Sequence, residues 1–292
     1  MNFATLIQKS GIKNLIPDKT YLSIKFRKHF GYWMDWDNPK TFNEKLQWLK
    51  VYDRQPWYVP FADKYEVKLI VEKIIGQEYV IPTYGVWNSF DEIDFNSLPQ
   101  EFVLKCTHDS GSVIICKDKS NFNYESAREK LDKCLKFNSY LGGREWVYKD
   151  IKPRIIAEKY IKPSEGDDLK DFKFFCFDGV PKIMFIASNR FTKGVETTFD
   201  YFDMDFNHLS IINGHPNSPV TIEKPVTFDR MKELAGRLSQ NFPHIRIDFY
   251  EVNDQIYFGE YTFYHFGGAM NFEPSIWDER IGSWLNLPAK NS

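Results

Sequence analysis

The sequence predicts an α+β protein of several lobes, on three observations. Strand-like runs crowd together at 102–116, 155–161 and 171–204, with helical stretches interspersed. The chain has 292 residues, enough to bury a large core and to divide into two or three lobes. Hydrophobic residues make up 42% and aromatic residues 17%, a composition that excludes a disordered chain.

The first thirty residues carry Lys9, Lys13, Lys19, Lys25, Arg27 and Lys28 against Asp18 alone. Two readings stand side by side: attraction to an anionic membrane surface or polymer, or a solvated helical face. Thr41 opens a helix, with Glu44 three residues on in the capping-box position. A second helix is predicted over 60–75, where Phe61, Tyr65, Leu69 and Ile70 recur at helical spacing. Tyr79–Pro82 reads as a short strand and Phe102–Cys106 as a stronger one. The polar loop 107–111 separates the latter from a strand at Ser112–Cys116. Residues 123–136 are helical, with Leu131, Cys134 and Leu135 on one side.

A strand at 155–161 runs into the loop 163–168. Strands follow at 171–178 and 181–188, joined by a turn at Asp178-Gly179, and then at 197–204. Phe228–Phe242 is an amphipathic helix through Met231, Leu234, Ala235 and Leu238. Strands at 244–251 and 255–262 precede the aromatic, glycine-containing loop Phe263–Gly268. This order divides the chain into an N-terminal helical segment (1–78), a first α/β lobe (79–162) and a second lobe (163–292).

Composition narrows the function. With 38 Lys+Arg against 40 Asp+Glu the net charge is −2, which argues against nucleic-acid binding through a basic patch. No run approaches the ~20 apolar residues of a membrane span, and the start does not read as a signal peptide. Cys106, Cys116, Cys134 and Cys176 lack metal-binding spacing and read as reduced thiols, so a cytoplasmic protein without zinc is expected.

Two constellations carry chemistry. In the hairpin 102–116, Lys105 ends a strand beside a loop containing Gly111. Such a hairpin can lay backbone N–H groups on polyphosphate, although it is equally a common surface feature and no P-loop pattern follows. In the last two strands, Arg246, Asp248 and Tyr250 share one face, and Phe258, Glu260 and Thr262 share another. A three-residue connection at Val252–Asp254 would pair Asp248 with Phe258, leaving Glu260 diagonal to Asp248 at roughly 7–8 Å. Two carboxylates so placed can share Mg²⁺, and Arg246 can stabilise developing negative charge. The plainer reading is a cross-strand charge pair of Arg246 with Glu260.

In chain order the motifs resemble a known family. They are Phe42-Asn-Glu-Lys-Leu-Gln-Trp48, Ala62-Asp-Lys-Tyr65, Val103-Leu-Lys-Cys-Thr-His108, Ala157-Glu-Lys-Tyr-Ile161, Phe172-Lys-Phe174, Arg246-Ile-Asp248 and Phe258-Gly-Glu-Tyr-Thr-Phe263. Over about residues 40–285 the chain resembles the ATP-grasp superfamily, whose D-alanine–D-alanine ligases have a similar ending. It is more similar still to the teichuronopeptide-biosynthesis-like ATP-grasp family of surface-polysaccharide gene clusters.

The resemblance implies an ATP-grasp fold: two α/β lobes gripping ATP, preceded by a mainly helical segment. It implies that Lys64 and Lys105 hold phosphates, and that His108, Ser110, Gly111 and Ser112 belong to a phosphate lid. Glu158 with the backbone of Lys159, Tyr160 and Ile161 would read adenine. Asp171 would meet the ribose, and Lys173 would meet either that region or phosphate. Asp248 and Glu260 would hold Mg²⁺, with Thr262 standing where many members have Asn. Arg246 and Arg190 would polarise an acyl phosphate, and His265, better placed than His108, would serve as acid or base.

The implied activity is carboxylate–amine ligation with ATP and Mg²⁺, joining an amino acid to a uronic acid of a surface polysaccharide. Which partner is activated stays open. Three rivals stand beside it: a glycosyltransferase using Asp203-Met-Asp205 as a DxD motif, an ATP-dependent glycan kinase, and a carbohydrate-binding module built on aromatics. For a glycan platform the candidate rings are Trp33, Trp36, Trp48, Trp57, Trp87, Trp146, Tyr264 and Phe266, which serve equally as wedges between lobes.

Overall fold

A computed structural model describes residues 15–162, 169–190, 192 and 194–290; Lys9 and Lys13 lie outside them. Helix α1 (Asp18–Phe30) ends on Gly31, which adopts the left-handed conformation glycine tolerates and returns its N–H to Arg27 O. Helix α2 (Phe42–Tyr52) starts on the expected capping box. Thr41 Oγ1 accepts from the Glu44 N–H at 3.2 Å, and Glu44 Oε2 accepts from the Thr41 N–H at 3.0 Å.

The single helix expected over 60–75 is two, α3 (Val59–Ala62) and α4 (Glu66–Ile75). Asp63 causes the break. Its backbone is extended, and its Oδ1 accepts from the N–H groups of Tyr65 and Glu66 at 2.8 and 3.0 Å, capping α4. Residues 79–82 also differ from expectation. Gly76 terminates α4 at φ 113°, Gln77–Tyr79 form a 3₁₀ turn, and the ladder begins only after Pro82.

Two antiparallel sheets form the frame. The smaller one has strand order β1-β4-β2-β3, from β1 (Thr83–Trp87), β2 (Phe102–Cys106), β3 (Ile114–Cys116) and β4 (Ile155–Lys159). Helix α5 (Tyr124–Leu135) buries Ala127 and Leu131 against it, in a core with Phe102, Leu104 and Ile155. Helix α6 (Tyr140–Gly143) follows in the connection to β4.

The larger sheet has order β10-β9-β5-β6-β7-β8, from β5 (Asp171–Phe177), β6 (Val180–Ser188), β7 (Thr198–Asp203), β8 (His208–Leu209), β9 (His244–Val252) and β10 (Gln255–Thr262). The β5–β6 turn at Asp178-Gly179 is as expected, both residues having positive φ. Helix α7 (Phe228–Leu238) lays Met231, Leu234, Ala235 and Leu238 on this sheet and ends earlier than expected, before Asn241 turns left-handed.

The main core continues from the larger sheet into the N-terminal helices: Leu22, Phe42, Leu46 and Trp48 share it with Phe172–Phe177. Most rings read as a candidate platform belong to packing. Trp36, Trp48 and Tyr264 are buried in this core, and Trp57 lies against Tyr58 and Phe242. Trp33, 57% exposed, faces Arg27 instead.

Helix α8 (Ile276–Trp284) closes on α2. Asp278 accepts from the Asn43 N–H and side-chain amide, and Lys45 donates to the carbonyls of Gly282 and Leu285. A Cβ on Gly282 would lie 2.4 Å from Lys40 O and 2.7 Å from Phe42 N, both backbone atoms. Gly282→Ala therefore has to push α8 off α2, and denaturant unfolding should show a loss of about 1–3 kcal/mol. Unchanged stability would disprove the close approach.

Candidate active site

The β9–β10 hairpin assembles the acidic face by a route the sequence reading did not anticipate. The connection is a two-residue turn, Asn253-Asp254, with Val252 opposite Gln255 and both turn residues at positive φ. A regular ladder from that turn would put Gly259 opposite Asp248 and send Glu260 to the other face. A bulge between Phe258 and Glu260 adds one residue, so Glu260 pairs directly with Asp248 and Thr262 with Arg246. Gly259 permits it: a Cβ there would stand 3.1 Å from Asp248 O.

Arg246 is the hub of this face. It is buried, and it donates from Nε to Asp248 Oδ1 and from Nη2 to Asp248 Oδ2, each at 2.7 Å. Nη2 also reaches Thr262 Oγ1 at 2.9 Å, and Glu260 Oε1 lies 3.5 Å away. Nη1 donates to His265 Nδ1 at 2.8 Å, so His265 carries its proton on Nε2 and passes it to Asn213 Oδ1 at 2.8 Å. Burial and then Arg246 hold the His265 imidazole well below its ordinary pKa. A neutral ring committed at both nitrogens positions Arg246. The acid–base role expected of His265 gives way to that one.

Lys173 sits opposite Asp248 in the ladder, donates to its carboxylate, and lies 3.0 Å from Asp171. Burial pushes Asp248 upward, but Arg246 and Lys173 outweigh it and hold the carboxyl well below the usual range. Asp171 is also buried and paired with Arg190. Its Oδ2 is thus engaged by two cations, while Oδ1 has no hydrogen-bond partner among the described residues.

The second cluster lies on the smaller sheet. Glu158 is buried between Lys105 at 2.5 Å and Lys68 at 2.6 Å. Burial raises its pKa, but the two ammonium groups more than reverse that and hold it down. Its carboxylate thus fixes two lysines. Lys68 was missed; its i, i+4 spacing from Lys64 was the available signal. Lys64 donates to Asp109 O, and burial depresses its pKa despite Glu260.

The loop after β2 also differs from a free lid. His108 is buried with Nε2 near Cys134 O and Phe137 O at 3.2 and 3.1 Å. Ser112 Oγ donates to Asp109 and accepts from the Cys106 N–H. Of residues 107–113, Ser110, Gly111 and Val113 are exposed.

Between the sheets lies a cleft of about 480 Å³, lined by Ile81, Val103, Lys105, Glu158–Ile161 and Tyr250 among others. Tyr250 was not foreseen. A small pocket of about 20 Å³ beside Lys64, Lys105, Glu158 and Gly259 lies between this cleft and a chamber bounded by Lys64, Gly259 and Glu260, sharing wall residues with both. Asp203 lies elsewhere: it caps its own turn, accepting from the N–H groups of Asp205 and Asn207.

Among the described residues no cluster of three His, Cys, Asp or Glu side chains is arranged to hold a metal. Asp248, Glu260 and the Thr262 hydroxyl nevertheless fit a Mg²⁺ that takes further ligands from phosphate and water. Glu260 is half exposed, and Asp248 Oδ1 accepts a single hydrogen bond from Arg246, leaving a lone pair free for an ion.

A family model described as TupA-like ATPgrasp matches residues 44–286. Comparison with curated proteins finds no match. Among solved structures, D-alanine–D-alanine ligase from Bacillus anthracis complexed with ATP is similar at 17% identity and TM-score 0.40, over 69% of this chain and 54% of that one. The Helicobacter pylori D-alanine–D-alanine ligase gives 14% and 0.45, over 84% and 69%. The ATP-grasp ligase PsnB, complexed with minimal precursor, Mg and ADP, gives 11% and 0.43, over 90% and 67%. The chain spans about half the length of the Bacillus anthracis protein.

The buried histidines set a pH dependence. His244 is sandwiched in the core, and burial lowers its pKa to about 3; His265 is depressed too. Both are neutral when folded and gain a proton when unfolded below about pH 6.5, so stability is full above that pH and falls with acid. Each should contribute a slope of roughly 1.4 kcal/mol per pH unit. Urea unfolding between pH 7.5 and 4.5 should show this, and His244→Phe should remove one share of it. An identical slope in the variant would contradict the assignment.

Proposed function

Because this chain belongs to the TupA-like ATP-grasp family, with the two-lobed fold of that family, we propose that it is an ATP- and Mg²⁺-dependent carboxylate–amine ligase. Its substrates are an amino acid and a uronic acid of a bacterial surface polysaccharide, joined as an amide through an acyl phosphate. The observation that carries this reading is a row of three cavities that share wall residues: the cleft beside 159–161, a small pocket at Lys105 and Lys64, and the chamber at Glu260. Lys105 and Lys64 are placed to neutralise phosphate charge between the cleft and Glu260. Asp248, Glu260 and Thr262 would hold Mg²⁺, which would supply neutralisation of charge on the phosphate oxygens as the substrate carboxylate attacks. Arg246, fixed by its four partners, stabilises charge on the acyl phosphate and on the tetrahedral intermediate. The chain needs no protein nucleophile for this; it positions groups and neutralises charge.

Cytoplasmic residence with contact at the inner membrane face belongs to the same proposal. Lys19, Lys25, Arg27 and Lys28 stand exposed on α1, with Arg27 over the Trp33 ring. Among the described residues no helix is long and apolar enough to cross a membrane.

The test is Mg²⁺-dependent ADP release with a uronic-acid glycan and an amino acid supplied together. Asp248→Asn and Glu260→Gln should each lower kcat by about 10²-fold or more while remaining folded. Phosphate retained on the glycan would move the reading to a glycan kinase. Stabilisation by a nucleotide sugar but not by an ATP analogue would overturn it.

A further inference from the structure

The chamber beyond Glu260 has about 260 Å³ and is lined by Phe61, Lys64, Ser139, Glu145, Tyr148 and Glu260, with others. It shares Lys64 and Gly259 with the small pocket that borders the nucleotide cleft. Its volume lies below the ~300–1,000 Å³ of clefts for drug-sized ligands, so a single amino acid fits and a sugar polymer does not.

The charge balance inside it is distinctive. Asp109 also lines the chamber, but its carboxylate is buried and takes the Ser112 hydroxyl, and Lys64 donates to the Asp109 carbonyl. Glu145 and Glu260 are the remaining carboxylates on the wall. Burial, then Glu145 and Glu260, push the Tyr148 phenol far above its ordinary pKa, as expected inside a negative field. Lys50 stands behind Glu145, its ammonium donating to Gly143 O, Gly267 O and Gln47 Oε1.

We propose that this chamber seats the amino-acid substrate by its ammonium group, with Glu145 as the anchoring carboxylate. One ammonium proton passes to Glu145 to free the lone pair that attacks the acyl carbon, and a second leaves with the departing phosphate. Phe137, 57% exposed, lines the same chamber as Glu145, where it would pack against the bound amino acid. This inference rests on the ligase reading and adds to it the location and chemistry of the amine partner. An acetylated amine carries no charge for Glu145 to meet and is excluded.

The experiment is calorimetric titration of the full chain, saturated with a non-hydrolysable MgATP analogue, with each of the twenty amino acids and with the N-acetyl form of any that binds. At least one free amino acid should bind, and its N-acetyl form at least about tenfold more weakly. Glu145→Gln should weaken the free amino acid by about tenfold or more while nucleotide affinity changes less than about twofold. Phe137→Ala, at an exposed position that does not threaten folding, should weaken it a few-fold. No binding by any amino acid, equal binding of the acetylated form, or unchanged affinity in both variants would overturn the proposal. ADP release separates the two readings. Glu145-dependent binding without ADP release under any glycan would sink the ligase reading alone. ADP release with an unchanged amino-acid KM in Glu145→Gln would sink the seat alone.

Discussion

A guanidinium buried in the interior of a sheet must have its charge paired and its N–H groups hydrogen-bonded, and most of the candidate site follows from meeting that demand for Arg246. Asp248 answers with both oxygens, Thr262 with its hydroxyl and His265 with Nδ1, while Phe185 covers the cation at 5.8 Å. Each partner is constrained in turn: Lys173 holds Asp248, and Asn213 holds His265 while donating to Asn271 O. Removing one member of such a buried set typically costs about 3–5 kcal/mol, because the others lose their counter-charge. The groups that would act on phosphate are therefore the same groups that stabilise the larger sheet.

The smaller sheet solves a related problem with the opposite sign. There a buried carboxylate, Glu158, holds two lysines from different elements, one on β2 and one on α4. The pairing leaves Lys105 at the cleft and keeps Lys68 from being an unpaired buried cation. Asp63 contributes by breaking the helix, which turns Lys64 into the small pocket with its own N–H bonded to Thr107 O. The two sheets thus present an anionic face with an embedded arginine and a cationic face with an embedded glutamate, facing one another across the cavities between them.

Much of the frame was legible because it rests on local rules. The capping box at Thr41, the Asp178-Gly179 turn and the runs in β5, β6, β9 and β10 carry turn chemistry and apolar pattern in adjacent residues. What escaped was decided at a distance. A single glycine does not announce a bulge, and the parity that brings Glu260 opposite Asp248 depends on the whole hairpin. Pro82 and Gly76 pushed the first strand past 79–82, a boundary set by where β4 offers partners. Asp171 and Glu158 were read as ligand contacts because sequence shows a carboxylate without showing the lysine or arginine already bonded to it. His265 lies against Arg246, and its tautomer depends on Asn213, fifty-two positions earlier.

The closure of α8 on α2 has a consequence for how the molecule comes into being. Asn43 waits for Asp278, Lys45 for Gly282, and Lys50 for Gly267. Each pair is more than two hundred residues apart. A ribosome adding ~5–20 residues per second makes the polar face of α2 at least ten seconds before its partners emerge. During that interval the buried side chains of α2, Phe42, Leu46 and Trp48 among them, have no completed core to enter. Vectorial synthesis therefore leaves α2 dependent on elements made more than two hundred residues after it. The nascent chain is most exposed to aggregation and most in need of chaperone protection in that half-built state, and the smaller sheet, whose strands all lie between 83 and 159, is the part able to form first.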